Sequence, residues 1–172
     1  TDATLGIGVL AGFDVELDPL PGRFRLYDVV GCDDRVVPFG GDYEDALIVP
    51  DEGLVPLTPI RLNGHALWAL VDSGASHSTV TRHGALAAGV TAEDLAKDPV
   101  IEDAVCTASG DLMDVCMHVF AELSWADSRY AQVTLPVVDT QEPYDLLIGN
   151  DLLLTRRTLI SFTTRRIYRA LP

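Results

Sequence analysis

An all-β barrel or sandwich is the fold this chain predicts, on three observations. Its apolar segments are short, rich in Val and Leu, and interrupted by Pro and Gly turn signals about every ten residues. Several of them alternate with period two, as in Arg23-Phe24-Arg25-Leu26-Tyr27-Asp28-Val29. Asn63-Gly64 then stands between two such segments, and that dipeptide suits the two-residue turn of a hairpin.

In chain order, residues 23–29 read as a strand, and residues 54–62 and 65–71 as the arms of the Asn63-Gly64 hairpin. Residues 115–123 and 130–138 read as two further strands, and 159–162 and 166–168 as a closing pair. Trp68 and Trp125 fall on strands and read as core. Helix is sparse. Residues 82–88 suit one or two turns, and Thr91 is a cap candidate with Glu93 and Asp94 in the first turn behind it. Residues 151–157 suit a short helix after Gly149. The N-terminal segment also echoes the C-terminal one. Leu5-Gly6, then 13–18, then 23–27 resemble Ile148-Gly149, then 158–162, then 165–168, with small gaps. Two readings stand: residues 1 to about 30 close a preceding similar lobe, or these are two ordinary hairpins.

The chain has 172 residues, 48% hydrophobic and 22% charged, enough for one soluble domain, or one domain with a short appended segment. No apolar run approaches the roughly 18 residues of a bilayer span. No basic-then-apolar leader opens it, and Thr rather than Met at position 1 suggests a processed or trimmed product. Lys plus Arg total 12 against 26 Asp plus Glu, a net charge of −14, which argues against nucleic acid as a partner. The surplus serves solubility, or favours basic or neutral substrates. The cysteines are Cys32, Cys106 and Cys116, with no Cys-x-x-Cys pair, so neither a zinc nor a redox site is expected. Cys106 and Cys116 flank Ser109-Gly110-Asp111 almost symmetrically. They either face each other across a hairpin as a disulfide, or are two small buried thiols. A disulfide would favour a periplasmic or secreted location over a cytoplasmic one.

The chemistry centres on Ala69-Leu70-Val71-Asp72-Ser73-Gly74-Ala75-Ser76-His77-Ser78-Thr79-Val80. An apolar strand delivers an acid into a turn of small residues, where a ligand can approach a carboxylate held by a rigid strand end. Asp-Ser-Gly taken alone also suits an ordinary turn capped by its Asp. His77 either lines a pocket or is a partly buried strand residue. His65 reads as a hairpin-tip residue, and His83 and His118 make no spaced metal pair with His77. Asp33-Asp34, Asp51-Glu52, Asp111 and Asp114 read as solvated charges.

The segment with Asp72 resembles the active-site loop of retropepsin-like aspartic proteases of the bacterial type, in which two apolar residues precede Asp-Thr/Ser-Gly-Ala. Leu146-Leu147-Ile148-Gly149-Asn150-Asp151-Leu152-Leu153 resembles the family's second hallmark, two apolar residues and a Gly before a short helix. Residues 104–119 fit its flap hairpin, with Ser109, Gly110 and Asp111 at the tip. The resemblance covers about residues 46–170. It implies a closed acid-protease barrel over residues 46–172 with a flap and one or two short helices, and an N-terminal extension over 1–45. It implies an aspartic endopeptidase with Asp72 catalytic, Ser73, Gly74 and Ala75 completing its loop, and Ser76, His77, the flap tip, Ile148 and Gly149 near substrate. Asn150 replaces the family's frequent Arg, and Asp151 is placed to accept from Ser78 instead. One Asp cannot run the reaction, so the resemblance implies a homodimer or a second lobe of the same precursor as partner, a protein or peptide substrate, and no metal or organic cofactor. The alternative of another class is a catalytically silent module that binds peptides or dimerises.

Overall fold

The computed structural model describes residues 6–30, 37–50, 55–106 and 112–172. Its elements in chain order are α1 (Ile7–Leu10), β1 (Asp14–Asp18), β2 (Arg23–Tyr27), β3 (Tyr43–Leu47), β4 (Val49–Pro50), β5 (Pro56–Leu62), β6 (His65–Val71) and β7 (Thr79–Thr81). There follow α2 (Arg82–Ala87), α3 (Ala92–Leu95), β8 (Val100–Cys106), β9 (Leu112–Trp125), β10 (Ser128–Val138), β11 (Leu146–Ile148), α4 (Asn150–Leu153), β12 (Thr158–Ser161) and β13 (Arg166–Ala170).

Strands β5, β6, β11, β7, β10 and β9 are neighbours in that order, and β9 returns to β5 through Ile60↔Trp125, Arg61↔Ser124 and Leu62↔Leu123. The sheet therefore closes, and of the two all-β readings it is the barrel that the resemblance implied. Period-two alternation fills its interior: on β5, Thr58, Ile60 and Leu62 are buried while Pro59 and Arg61 are exposed. They pack with Leu67, Ala69, Val71, Phe120, Leu123, Trp125, Leu146 and Ile148. Each fully buried Leu, Ile or Phe contributes about 1.5–3 kcal/mol. The same alternation corrects one expectation. Leu67, Ala69 and Val71 take the inner face of β6, so Trp68 points outward and is 44% exposed.

The β5–β6 turn forms at Asn63-Gly64, with positive φ at both residues (51° and 81°), which L residues other than Asn rarely adopt. Asn63 Oδ1 also accepts from the Ala121 N–H at 2.8 Å, pinning the turn to β9. Thr81 and Thr91 cap α2 and α3 by accepting from the Gly84 and Asp94 N–H groups. α4 is shorter than the expected 151–157. The Leu152 carbonyl is taken by the Thr155 hydroxyl (2.7 Å) and the Arg169 guanidinium (3.3 Å), and the chain turns into β12. α1 had no counterpart among the sequence expectations.

A second sheet, in the order β2-β1-β12-β13-β3, is antiparallel throughout. Buried ion pairs hold it together, and the cluster around Glu44 and Arg169 also joins it to the barrel. Arg169, 1% exposed, donates to Glu44 Oε1 at 2.9 Å and to Tyr130 Oη at 2.9 Å, and its guanidinium lies 4.3 Å from the Trp125 ring centroid. Arg156 (3.2 Å) and the Ser128 hydroxyl (2.8 Å) also bind Glu44. Glu16 accepts from Arg25 (2.5 Å), Arg157 (2.8 Å) and the Tyr27 hydroxyl. Burial by itself raises the Glu16 pKa, but the Tyr27 and Arg157 hydrogen bonds and the charges of Arg157 and Arg25 outweigh it and hold the carboxyl below the ordinary carboxylate range. Among the described residues no helix is long and apolar enough to cross a membrane.

Candidate active site

The Asp72 loop is shaped by strand order. β11 lies between β6 and β7, parallel to β6 (Ala69↔Leu146, Val71↔Ile148) and antiparallel to β7 (Leu146↔Val80, Leu147↔Thr79). A chain leaving β6 for β7 must therefore pass over the end of β11, and residues 72–78 are that passage. The Asp72 N–H donates to the Ile148 carbonyl at 3.0 Å, which holds the Asp72 backbone as one further rung of the ladder. Its Oδ1 accepts from the Gly74 N–H at 2.7 Å, fixing the carboxyl in an Asx-type turn. Asp72 is half-buried, and Ser73 and Gly74 beside it are exposed.

Beneath the loop, the segment after β11 grips it at every second or third residue. The Asn150 side-chain amide donates to the Ser73 carbonyl at 3.0 Å, and the Asn150 N–H to the Ala75 carbonyl at 2.9 Å. The Ser78 N–H and hydroxyl both donate to Asp151 Oδ1, at 2.9 and 2.6 Å, as the sequence suggested. The Gly149 N–H returns a bond to Ser78 Oγ at 3.0 Å. A Cβ at position 149 would lie 2.6 Å from the His77 carbonyl carbon and 2.7 Å from its oxygen, so only glycine admits the loop here. This scaffold is neutral apart from Asp151.

Ile148 and Gly149 thus lie under the loop. Ser76 and His77 are exposed at a bend above them, so His77 is not a partly buried strand residue. The expected flap tip, Ser109, Gly110 and Asp111, falls outside the described residues, as do Asp33-Asp34 and Asp51-Glu52. Its arms are β8 and β9, paired antiparallel with an irregularity between Ile101 and Val105. That register corrects the cysteine expectation. Cys106 stands opposite Leu112 and Cys116 opposite Val100, so the two are four residues out of step, about 13 Å along a strand and beyond the reach of a disulfide. Cys116 is a free thiol, pushed up in pKa by burial and then by the charge of Asp98.

Three residues here were not singled out from the sequence. Tyr144 lies close enough to feel the Asp72 charge: burial, then Glu142 and Asp72, push its hydroxyl up to about 12, so it stays a donor throughout the ordinary pH range. Asp145 spans the base of the loop. Its N–H donates to the Trp68 carbonyl (2.9 Å), its Oδ2 accepts from the Trp68 N–H (2.9 Å) and its carbonyl accepts from the Thr81 N–H (2.9 Å). Both stand just before Leu146-Leu147-Ile148-Gly149, so a polar residue flanking that landmark was the available signal. Asp98 pairs with His118 Nδ1 at 2.7 Å, away from the loop in sequence and without a signal in spacing. Among the described residues no second carboxyl is hydrogen-bonded to Asp72.

Residues 58–152 match the family model described as aspartyl protease. Among solved structures, the chain is similar to a retropepsin-like aspartic protease from Rickettsia conorii, at 16% identity over 74% of this chain and 91% of that one, with a TM-score of 0.56. It is also similar to the retroviral protease-like domain of Ddi1 from Leishmania major, at 22% identity over 69% of this chain and 94% of that one, with a TM-score of 0.49. The first of these likenesses shows the fold. A comparison with curated proteins gives no match.

Proposed function

Since the chain belongs to the aspartyl protease family, we propose that it supplies one catalytic half of an aspartic endopeptidase, with Asp72 as the reacting carboxylate. The observation that carries this reading is the rigid presentation of one half-buried acid at a strand end, in a loop whose small residues leave its outer side open. The reaction needs a second carboxylate, from a second lobe or a second copy. Two carboxyls about 3 Å apart share one proton, because both cannot ionise together, and they titrate as a unit. The ionised member takes a proton from water as that water attacks the peptide carbonyl, and the protonated member donates to the carbonyl oxygen. The tetrahedral diol collapses with proton transfer to the leaving amine, and no acyl-enzyme forms.

The substrate is an extended peptide. It lies between the loop and the β8–β9 hairpin, where strand-like main-chain bonds hold it and side chains alternate into pockets. The hairpin presents Val100, Ile101, Leu112 and Val119 to solvent, apolar surface suited to covering such a peptide. Ser73, Gly74 and Ala75 keep the approach to Asp72 free of bulk.

The test is cleavage of an unfolded protein by the assembled enzyme, from acidic to near-neutral pH, with and without a statine-type inhibitor. Cleavage should be blocked by the inhibitor and should fall by at least about 10⁴-fold in Asp72→Asn. Cleavage that survives Asp72→Asn overturns the assignment.

A further inference from the structure

The α1–β1–β2 segment repeats α4–β12–β13 without a gap. Gly6 and Gly149, Ile7 and Asn150, Gly22 and Arg165, and Arg23 and Arg166 are each 143 residues apart, at the helix caps, the helix starts, the positive-φ turn residues and the second-strand starts respectively. The hydrogen bonds repeat at the same offset. Val9 N–H and Leu10 N–H donate to Gly6 O, as Leu152 N–H and Leu153 N–H donate to Gly149 O; Ala11 N–H donates to Ile7 O, as Leu154 N–H donates to Asn150 O. The pairing of the two copies is self-consistent under that offset. Val15↔Ile160 and Leu17↔Thr158 exchange with one another, and Glu16↔Leu159 maps onto itself. A local twofold axis therefore passes through the Glu16–Leu159 pair.

Continued outward, the symmetry breaks in one place. β13 pairs with β3 on its far side, whereas β2 has no further partner among the described residues. The surfaces differ accordingly. Phe24 is 50% exposed where its counterpart Ile167 is 0%, and Leu26 is 38% exposed where Arg169 is 1%. Gly149 is glycine because the Asp72 loop packs on it, while the equivalent Gly6, at an ordinary φ of −76°, meets nothing within 4 Å. The twofold operation carries the Asp72 loop into that open space. It also shows why a second copy does not fit there: residues 6–27 already occupy the edge of β12 at which a symmetric partner would join, and the other edge holds β13.

We infer that β2 and Gly6 are the docking surface for a second lobe of the same fold, carried in the same polypeptide ahead of Thr1. Its first strand adds to β2 as a sixth strand of this sheet, as β3 adds to β13. Its own Asp loop rests on Gly6, and its acid faces Asp72. If the offset of 143 holds throughout, that acid stands roughly 70 residues before Thr1. The role of this acid rests on the peptidase reading; the docking does not.

The experiment compares the 172-residue chain with the parent polypeptide that includes its upstream residues. The parent is expected to hold an apolar-apolar-Asp-Ser/Thr-Gly segment upstream, to sediment as a monomer, and to cleave an unfolded substrate with loss in either single Asp→Asn variant. Amide exchange along β2 should be slowed about a hundredfold in the parent relative to the short chain. Protection of β2 without cleavage would uphold the docking and sink the peptidase reading. A parent without an upstream lobe, β2 amides that exchange equally fast in both chains, or a short chain that cleaves as a dimer would each overturn the inference.

Discussion

Two regions of this molecule are rigid for opposite reasons. The Asp72 loop is held by main-chain and amide hydrogen bonds and by one glycine that lets backbone meet backbone, with Asp151 as the sole charge among its clamps. The second sheet is held together by buried ions, Glu44 between Arg169 and Arg156 and Glu16 between Arg25 and Arg157, and Ser128 and Tyr130 of the barrel join the Glu44 cluster. The difference is instructive. On the proposed function Asp72 shares a proton with a second carboxyl, and a guanidinium beside it would keep it ionised. Cations are accordingly spent on the sheet, and the loop is built from neutral donors.

This comparison can be broken by substitution. The largest effect is expected from Arg169→Met, which leaves the buried Glu44 with Arg156 as its only cation and the Ser128 hydroxyl as its other donor. It should lower stability by about 3–5 kcal/mol, read by urea unfolding, while kcat per folded molecule is kept. A matching fall in kcat would show that the sheet and the site are not separable. Next comes Gly149→Ala. A methyl group driven against the His77 backbone should cost about 2–4 kcal/mol and abolish cleavage at temperatures well below unfolding, because the loop itself must move. Ser78→Ala removes the hydroxyl that serves both Asp151 and the Gly149 N–H, and is expected to cost about 1–3 kcal/mol with a larger effect on kcat than on KM.

The smallest effect belongs to Glu16→Gln, and it sharpens the comparison through pH. The folded-state pKa of Glu16 lies below its unfolded value, so its contribution is complete above the ordinary carboxylate range and is lost as pH falls through the lowered value. Arg25 and Arg157 are about one-third exposed, so water screens the pair. Wild type should exceed the variant by about 1–2 kcal/mol near neutrality, with the gap closing as pH falls below the ordinary carboxylate range. A gap independent of pH would mean that Glu16 contributes by packing and hydrogen bonding alone.

The same contrast explains what was legible in the sequence. Short-range and landmark features could be read: the Asn63-Gly64 turn, the Thr91 cap, and the Ser78–Asp151 bond between two recognised motifs. The ionic sheet could not, because its partners are distant in sequence. Arg157 reaches Glu16 across 141 positions and Arg169 reaches Glu44 across 125, and no local period marks such pairs. Trp68 was misplaced because strand membership does not say which face a residue takes; the small Ala69 and branched Val71 claimed the interior. Cys106 and Cys116 do not face each other because the strands pair about a point two residues nearer the N-terminus than the midpoint of the two cysteines, as Cys106↔Leu112 and Val105↔Met113 show, and sequence symmetry about a turn does not fix that register. The N-terminal echo aligns in sequence only with gaps because side chains diverged while the backbone kept its spacing. Phe24 and Leu26 stand where β13 carries Ile167 and Arg169.

The claim on which the rest depends is that Asp72 meets a second carboxyl. The most direct measurement is a crystal structure of the assembled enzyme at acidic pH. The account expects an oxygen of Asp72 within about 3 Å of a carboxyl oxygen from the upstream lobe, in line with a bound water. An Asp72 carboxyl separated from every other carboxyl by more than about 6 Å in the assembled, active molecule would contradict it.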